Sequence, residues 1–282
     1  MRFLEKKTIE TERCRRFVAD LPDEEMRALF GGLAAVIPQN DSRKRIFTLK
    51  NTFFLFLWQV FSMSSCSAAV QKALLRLSVA QRMKASPSSS AYCQARGKLP
   101  ASALDDALSA TASGLESKTA KEHLWRGRTV KIVDGTTVSM PDTPENQSRY
   151  PQPSGQKAGC GFPIMRILAV FSLATGALLS YARGSLHDAE NVLLGKISSV
   201  FCKGDILLAD RGFCSYAIIA RMLEACVDVC VRMREKMIKN YTVVRKLGNN
   251  DFIIRWERPA SIRKTASLPD FLLLRLVKYT VK

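Results

Sequence analysis

Two stretches decide the fold: Val130-Lys131-Ile132-Val133-Asp134-Gly135-Thr136 and Asp205-Ile206-Leu207-Leu208-Ala209-Asp210-Arg211-Gly212-Phe213. In each, an apolar run ends in an aspartate, and a glycine follows at once or two residues later. Short runs rich in Val, Ile and Leu read as strands buried on both faces. A carboxylate at the end of such a strand stands where a sheet stops and a ligand crevice begins. If the two strands are neighbours, Asp134 and Asp210 can hold a hard divalent cation between them, and carboxylate oxygens suit Mg²⁺ or Mn²⁺. Paired ions of this kind drive in-line phosphoryl transfer, one activating the attacking oxygen and the other steadying the leaving one. The plainer reading of each stretch is a turn in which the aspartate bonds its own backbone. Two such stretches in a strongly basic chain favour the metal site.

The basic character is marked. The formal charge is +18, from 43 Lys and Arg against 25 Asp and Glu. After Asp210 there are 15 basic and 6 acidic residues, so half of the excess lies in the last quarter of the chain. An excess of this size points toward nucleic acid or an acidic surface, with ordinary solvated faces as the alternative. At 47% hydrophobic over 282 residues the chain can bury a sizeable core. Its eight cysteines contain no Cys-x2-Cys pair; Cys226 and Cys230 are four apart with no histidine near, which argues against zinc. Cys230, between Val229 and Val231, reads as a buried strand position, and reduced thiols in the cytoplasm are the expected state. The N-terminus lacks the apolar core of a secretory signal. Residues 51–71 carry no charge, yet four serines dilute the second half, so a buried core helix is preferred over a membrane span.

Taken in order, residues 1–84 read as helical, with helices expected over 43–61 and 67–84; Val70, Ala73, Leu74 and Leu77 form an apolar stripe on the second. This region suits either a DNA-binding module or a plain helical bundle. The small, polar, Pro-containing run 85–91 reads as a linker, and helix resumes over 101–113. Strands then follow: 129–134, a hairpin of 165–173 with 177–182 turning at Thr175-Gly176, a helix over 186–200, a strand at 205–210, a helix over 215–225 and a strand at 228–233. The order strand, strand, strand, helix, strand, helix, strand is that of an RNase H-like α/β fold, a mixed sheet flanked by helices. There the ends of the first and fourth strands come together. Beyond it, 242–247 and 252–256 flank Gly248-Asn249-Asn250-Asp251, a hairpin signal, and 272–281 reads as one more strand. The expected organisation is a helical N-terminal region (1–84), a helical connection (85–127), the RNase H-like core (128–236) and the start of a β-rich insertion (237–282).

Four motifs together resemble the bacterial insertion-sequence transposases of the IS-four family of DDE enzymes. They are Asp134-Gly135-Thr136, the stretch from Asp205 to Phe213, Ser90-Ala91-Tyr92-Cys93-Gln94-Ala95-Arg96, and Gly184-Ser185-Leu186-His187-Asp188. The resemblance runs from about Asn51 onward. It implies that the N-terminal helices recognise DNA ends and that Asp134 and Asp210 are the first two acids of a catalytic triad binding Mg²⁺ or Mn²⁺. It implies a homodimer acting on element ends and target DNA in the bacterial cytoplasm, with no membrane partner. Arg211, Arg232, Arg234 and Lys236 are the candidates for neutralising DNA phosphates.

The family's third acid is a glutamate within Tyr-x2-Arg-x3-Glu-x6-Lys, and no glutamate here has an arginine four residues before it. Glu190, Glu224, Glu235 and Glu257 do not match, so the third acid is expected to lie outside this chain, which then reads as truncated. Two functions follow: a metal-dependent transposase, or a non-catalytic remnant that binds element ends and represses transposition. A metal-dependent nuclease unrelated to transposition is a third reading.

Overall fold

The computed structural model describes residues 46–75, 77, 85–157, 159–233, 241–262 and 268–279. Arg234 and Lys236, the first 45 residues of the expected helical N-terminal region, and most of the expected second helix beyond Leu75 lie outside the described residues. The chain divides into two compact units, Met1–Thr111 and Ala112–Lys282.

In the first unit, α1 (Leu49–Phe61) begins later than the sequence suggests. Thr48 caps it, its hydroxyl accepting a hydrogen bond from the Asn51 N–H at 3.1 Å. Phe53, Leu55 and Trp58 are buried while Val60 and Phe61 are exposed, which fits a core helix. Among the described residues no helix is long and apolar enough to cross a membrane. Helix α2 (Cys66–Leu75) lays Ala69, Val70 and Ala73 against Leu55, Trp58 and the fully buried Tyr92 of α3 (Ser90–Gly97). Helix α3 therefore starts inside the expected linker. Helix α4 (Ala101–Glu116) spans the division between the units.

The second unit is built on a five-stranded sheet of order β3-β2-β1-β4-β5. Its strands are β1 (Val130–Ser139), β2 (Ile164–Ser172), β3 (Leu178–Ser185), β4 (Ile206–Ala209) and β5 (Asp228–Val231). β1 to β3 form an antiparallel meander, and β4 and β5 add in parallel to β1. This is the RNase H-like arrangement that the order of elements implies. The expected long loop at 142–161 contains a short helix, α5 (Pro144–Arg149). Gly176, at φ +69°, supplies the left-handed turn between β2 and β3. Leu193 and Leu194 of α6 (Glu190–Lys196), with Ile218 and Met222 of α7 (Tyr216–Glu224), pack on Val133, Leu168, Val170 and Leu207.

Helix α6 starts at Glu190, four residues later than its apolar pattern suggests. The Asp188 carboxylate accepts from the Ser185 N–H at 2.6 Å, and Arg166 donates to the Asp188 carbonyl at 2.7 Å, which holds 185–188 as a turn. Gly184 is required there, because a Cβ would lie 2.5 Å from Asp188 Oδ2 and 2.8 Å from Leu193 Cδ2. The Gly-Ser-Leu-His-Asp motif thus has a packing role, and His187 stands exposed.

The other face of α7 meets a second, three-stranded antiparallel sheet of β6 (Tyr241–Gly248), β7 (Asp251–Glu257) and β8 (Phe271–Val277). Tyr216 packs edge-to-face on Trp256 at 5.2 Å and donates its hydroxyl to the Pro269 carbonyl at 2.6 Å. Cys230 is on β5 as expected but exposed rather than buried, because β5 is the edge of its sheet.

The start of the parallel pairing is tied by charge. Lys131 Nζ donates to Asp205 Oδ2 at 2.5 Å and to the Val200 carbonyl at 2.7 Å, with both charged residues 7% exposed. Asp205 Oδ2 also accepts from the Cys202 N–H at 2.7 Å. Arg128 donates to the Gly204 and Asp205 carbonyls at 2.7 and 3.2 Å and pairs with Asp228 at 2.7 Å. Removing one member of a buried pair strands the other charge. Asp205→Ala is therefore expected to cost about 3–5 kcal/mol in urea denaturation, while Asp228→Ala, an exposed partner, costs about 1 kcal/mol or less. Equal small losses from both would contradict this account.

Candidate metal centre at the ends of the parallel strands

The site follows from the register. Val133 of β1 stands beside Ala209 of β4, and Ala209 beside Val231 of β5. The next residue on each strand is Asp134, Asp210 and Arg232, so two carboxylates and a guanidinium emerge from one end of three neighbouring strands. All three are exposed.

The sequence places Asp134 at the end of its strand, but β1 runs on to Ser139. Only its parallel partner stops there: pairing with β4 ends at Val133, whereas β2 continues alongside through Ser139. Asp134 Oδ1 accepts from the Gly135 N–H at 2.8 Å. Asp210 leads into a single 3-10 turn, Arg211–Phe213, and its Oδ1 accepts from the Gly212 N–H at 2.7 Å. Phe213, 2% exposed, anchors that turn in the core. The local backbone bonds of the Asp-Gly turn reading are therefore present, and they orient the carboxylates rather than exclude a metal, since each keeps a free oxygen lone pair.

A third carboxylate stands at the same place, and sequence reasoning passed over it. Glu190, the first residue of α6, reaches between the two glycines. A Cβ at Gly135 would lie 3.3 Å from Glu190 Oε1, and one at Gly212 would lie 3.3 Å from Glu190 Oε2 and 2.8 Å from Asp210 Oδ1. The space a side chain at either glycine would fill is thus lined by carboxylate oxygens. The available signal was positional: an acid in the first turn of the helix that crosses the strand ends. Among the described residues no three His, Cys, Asp or Glu side chains converge tightly enough to grip one ion as they stand. The donor set consists of hard oxygens on rigid strand ends, and it fits Mg²⁺ or Mn²⁺. Of the basic candidates, Arg211 and Arg232 are exposed beside the aspartates.

A mixed sheet of this order, with aspartates following the paired ends of β1 and β4, has the RNase H-like arrangement. The chain matches the transposase DDE domain over residues 125–271 and belongs to that family. Among curated relatives, it is 25% identical over 194 residues to a transposase named InsG, for insertion sequence element IS4 of Escherichia coli strain K12. That match covers 68% of this chain and 44% of the relative. A putative transposase named InsZ from the same strain is 26% identical over 127 residues, covering 45% of this chain and 42% of its own length. The chain thus spans less than half the length of the curated relatives it matches. A cryo-EM structure of a piggyBac transposase synaptic complex with hairpin DNA overlays at a TM-score of 0.32 and 8% identity, over 88% of this chain and 58% of that one. A likeness that low carries no argument.

Gly212→Ala provides a local test. Its Cβ would press on Asp210 Oδ1 and force that carboxylate, the mobile side-chain end, to move. The expected outcome is a Mn²⁺ affinity reduced about 10-fold, the size of effect seen when a ligand's outer-shell support is removed, with unfolding stability changed by less than about 1 kcal/mol. Unchanged affinity in calorimetry would show that the Asp210 orientation is unimportant.

Proposed function

We propose that this chain carries the catalytic core of an insertion-sequence DNA transposase, with Asp134 and Asp210 as the carboxylates that hold its divalent ions, Mg²⁺ or Mn²⁺. The observation that carries the proposal is the Val133 to Ala209 register, which sets the two aspartates on neighbouring strands at one level. When bound, such ions polarise a phosphodiester and lower the pKa of an attacking water or 3′-hydroxyl. Asp134 and Asp210 supply negative oxygens held by the Gly135 and Gly212 N–H groups, so little reorganisation is needed at the moment of reaction. Glu190 adds a third negative charge over the same glycines.

Arg211 and Arg232 meet phosphates on either side of the cleavage point and fix the strand without reading its sequence. Arg234 and Lys236, outside the described residues, extend that basic run. Residues 1–84 recognise the element ends, 85–127 connect, 128–236 form the catalytic core and 237–282 belong to an insertion. A homodimer on DNA is part of the same proposal and rests on the family resemblance.

A second reading has its own support. No glutamate matches the family's third-acid motif, and no three acidic groups converge among the described residues. On that reading the polypeptide binds element ends without cutting.

The two readings separate in one experiment on plasmid DNA carrying the element. The enzyme reading expects Mn²⁺-dependent nicking that falls by about 100-fold or more in Asp134→Asn, beyond what removal of an outer-shell group costs. The binding reading expects a salt-sensitive gel shift and no nicked product at any metal concentration. Arg232→Gln should weaken binding alike on all sequences and reduce the log–log salt slope by about 0.9, because one fewer phosphate is neutralised. Nicking that persists in Asp134→Asn and Asp210→Asn would overturn the assignment of both aspartates.

A further inference from the structure

A cluster in the first unit has no part in the metal centre. Cys66 opens α2, and its sulfur accepts hydrogen bonds from Gln59 Nε2 at 3.5 Å and Arg96 Nη1 at 3.4 Å. The donors are themselves held. Tyr92 donates to Gln59 Oε1 at 2.8 Å, and Arg96 Nη1 lies 3.4 Å from that same oxygen. Tyr92 is fully buried in the helical core, where burial pushes its hydroxyl up to about 12, so at neutral pH it remains a donor. Cys93, exposed, stands one helical turn before Arg96 on α3, on the side of the helix whose guanidinium reaches the Cys66 sulfur.

This arrangement divides labour between two thiols. The Gln59 amide, then the Cys93 thiol and the Arg96 guanidinium, hold the Cys66 thiol below the usual range against the opposing effect of partial burial. The neighbouring Cys66 holds the Cys93 thiol above the usual range. The thiolate is the nucleophile in thiol–disulfide exchange, and a cationic neighbour raises the fraction present. Cys66 is half-buried and Cys93 is exposed, so the pair is open to a small reagent.

We propose that Cys66 and Cys93 form a thiol modification site that reacts with an oxidised low-molecular-weight disulfide and closes to a Cys66–Cys93 disulfide. Cys66 gives its proton to solvent and its sulfur attacks one sulfur of the small disulfide. That S–S bond breaks, and the departing thiolate takes up a proton and leaves as a thiol. Cys93 then loses its proton and attacks the Cys66 sulfur of the mixed disulfide, expelling the second half as another thiol. Two cysteine thiols are oxidised, one small disulfide is reduced to two thiols, and no further oxidant is needed. Closure ties the start of α2 to α3 and takes the sulfur acceptor from Arg96. Cys66 and Cys93 are far apart in sequence and in no metal-type motif, so only the packing of α1, α2 and α3 reveals the pair.

The test uses the full chain, reduced and then exposed to oxidised glutathione at pH 7, with alkylation and peptide mass spectrometry at intervals. The exposed Cys160, Cys202 and Cys226 serve as internal references. The expected result is a cross-linked Cys66–Cys93 peptide appearing about 10-fold faster than glutathione adducts at the references, in keeping with a larger thiolate fraction. Cys93→Ser should stall with glutathione on Cys66. The same chain in urea should lose the preference. Three results would overturn the proposal: equal modification of all exposed thiols, a glutathione adduct that persists on Cys66 in the unaltered protein, or a preference that survives unfolding.

Discussion

Inside the edge where β4 begins, the Lys131 ammonium and the Asp205 carboxylate meet with almost no solvent. Both charges are also hydrogen-bonded to backbone, Lys131 to the Val200 carbonyl and Asp205 to the Cys202 N–H. Such a pair contributes modestly to net stability, because desolvation offsets much of the attraction, but any slip that parts the charges is heavily penalised. Sliding β4 along β1 by one residue would part them. Arg128 reinforces the same point by holding the Gly204 and Asp205 carbonyls. Everything at the opposite end of these strands inherits that register, including the adjacency of Asp134 and Asp210.

The arrangement at these strand ends is therefore set several residues away from them. Parallel strands carry their ends to a common level, and the residues just beyond the last paired positions are free to turn toward a ligand. Here those residues are acidic on β1 and β4 and basic on β5. The glycines at 135 and 212 leave room in which carboxylate oxygens, including those of Glu190, can gather. Arg211 and Arg232 set positive charge beside these carboxylates, which fits the proposed surface that attracts phosphate around a cation site.

Much of this was legible in the sequence, and the misses have physical causes. Continuous apolar runs announced β1 and β4, and the Thr175-Gly176 turn announced the β2–β3 hairpin. The extension of β1 past Asp134 was hidden, because 135–139 are polar or exposed and pair only with β2. The start of α6 was misjudged by four residues, since a side-chain bond from Asp188 to the Ser185 N–H outcompetes the first helical turn. Cys230 was expected in the core because its neighbours are valines, but edge position is a property of topology that no local pattern carries. The Cys66–Cys93 pair was out of reach because it depends on elements distant in sequence and lies in no spaced motif, whereas Glu190 left only the positional signal of an acid in the first turn of its helix.

The most direct test of the central claim is crystallographic. Crystals grown with Mn²⁺ and measured at a wavelength that reveals its anomalous signal should show the ion at the ends of β1 and β4. Oxygens of Asp134 and Asp210 should lie about 2.1 Å from it, near the range for small hard cations. An ion bound elsewhere, or one contacting only a single aspartate while the other faces away, would contradict the account.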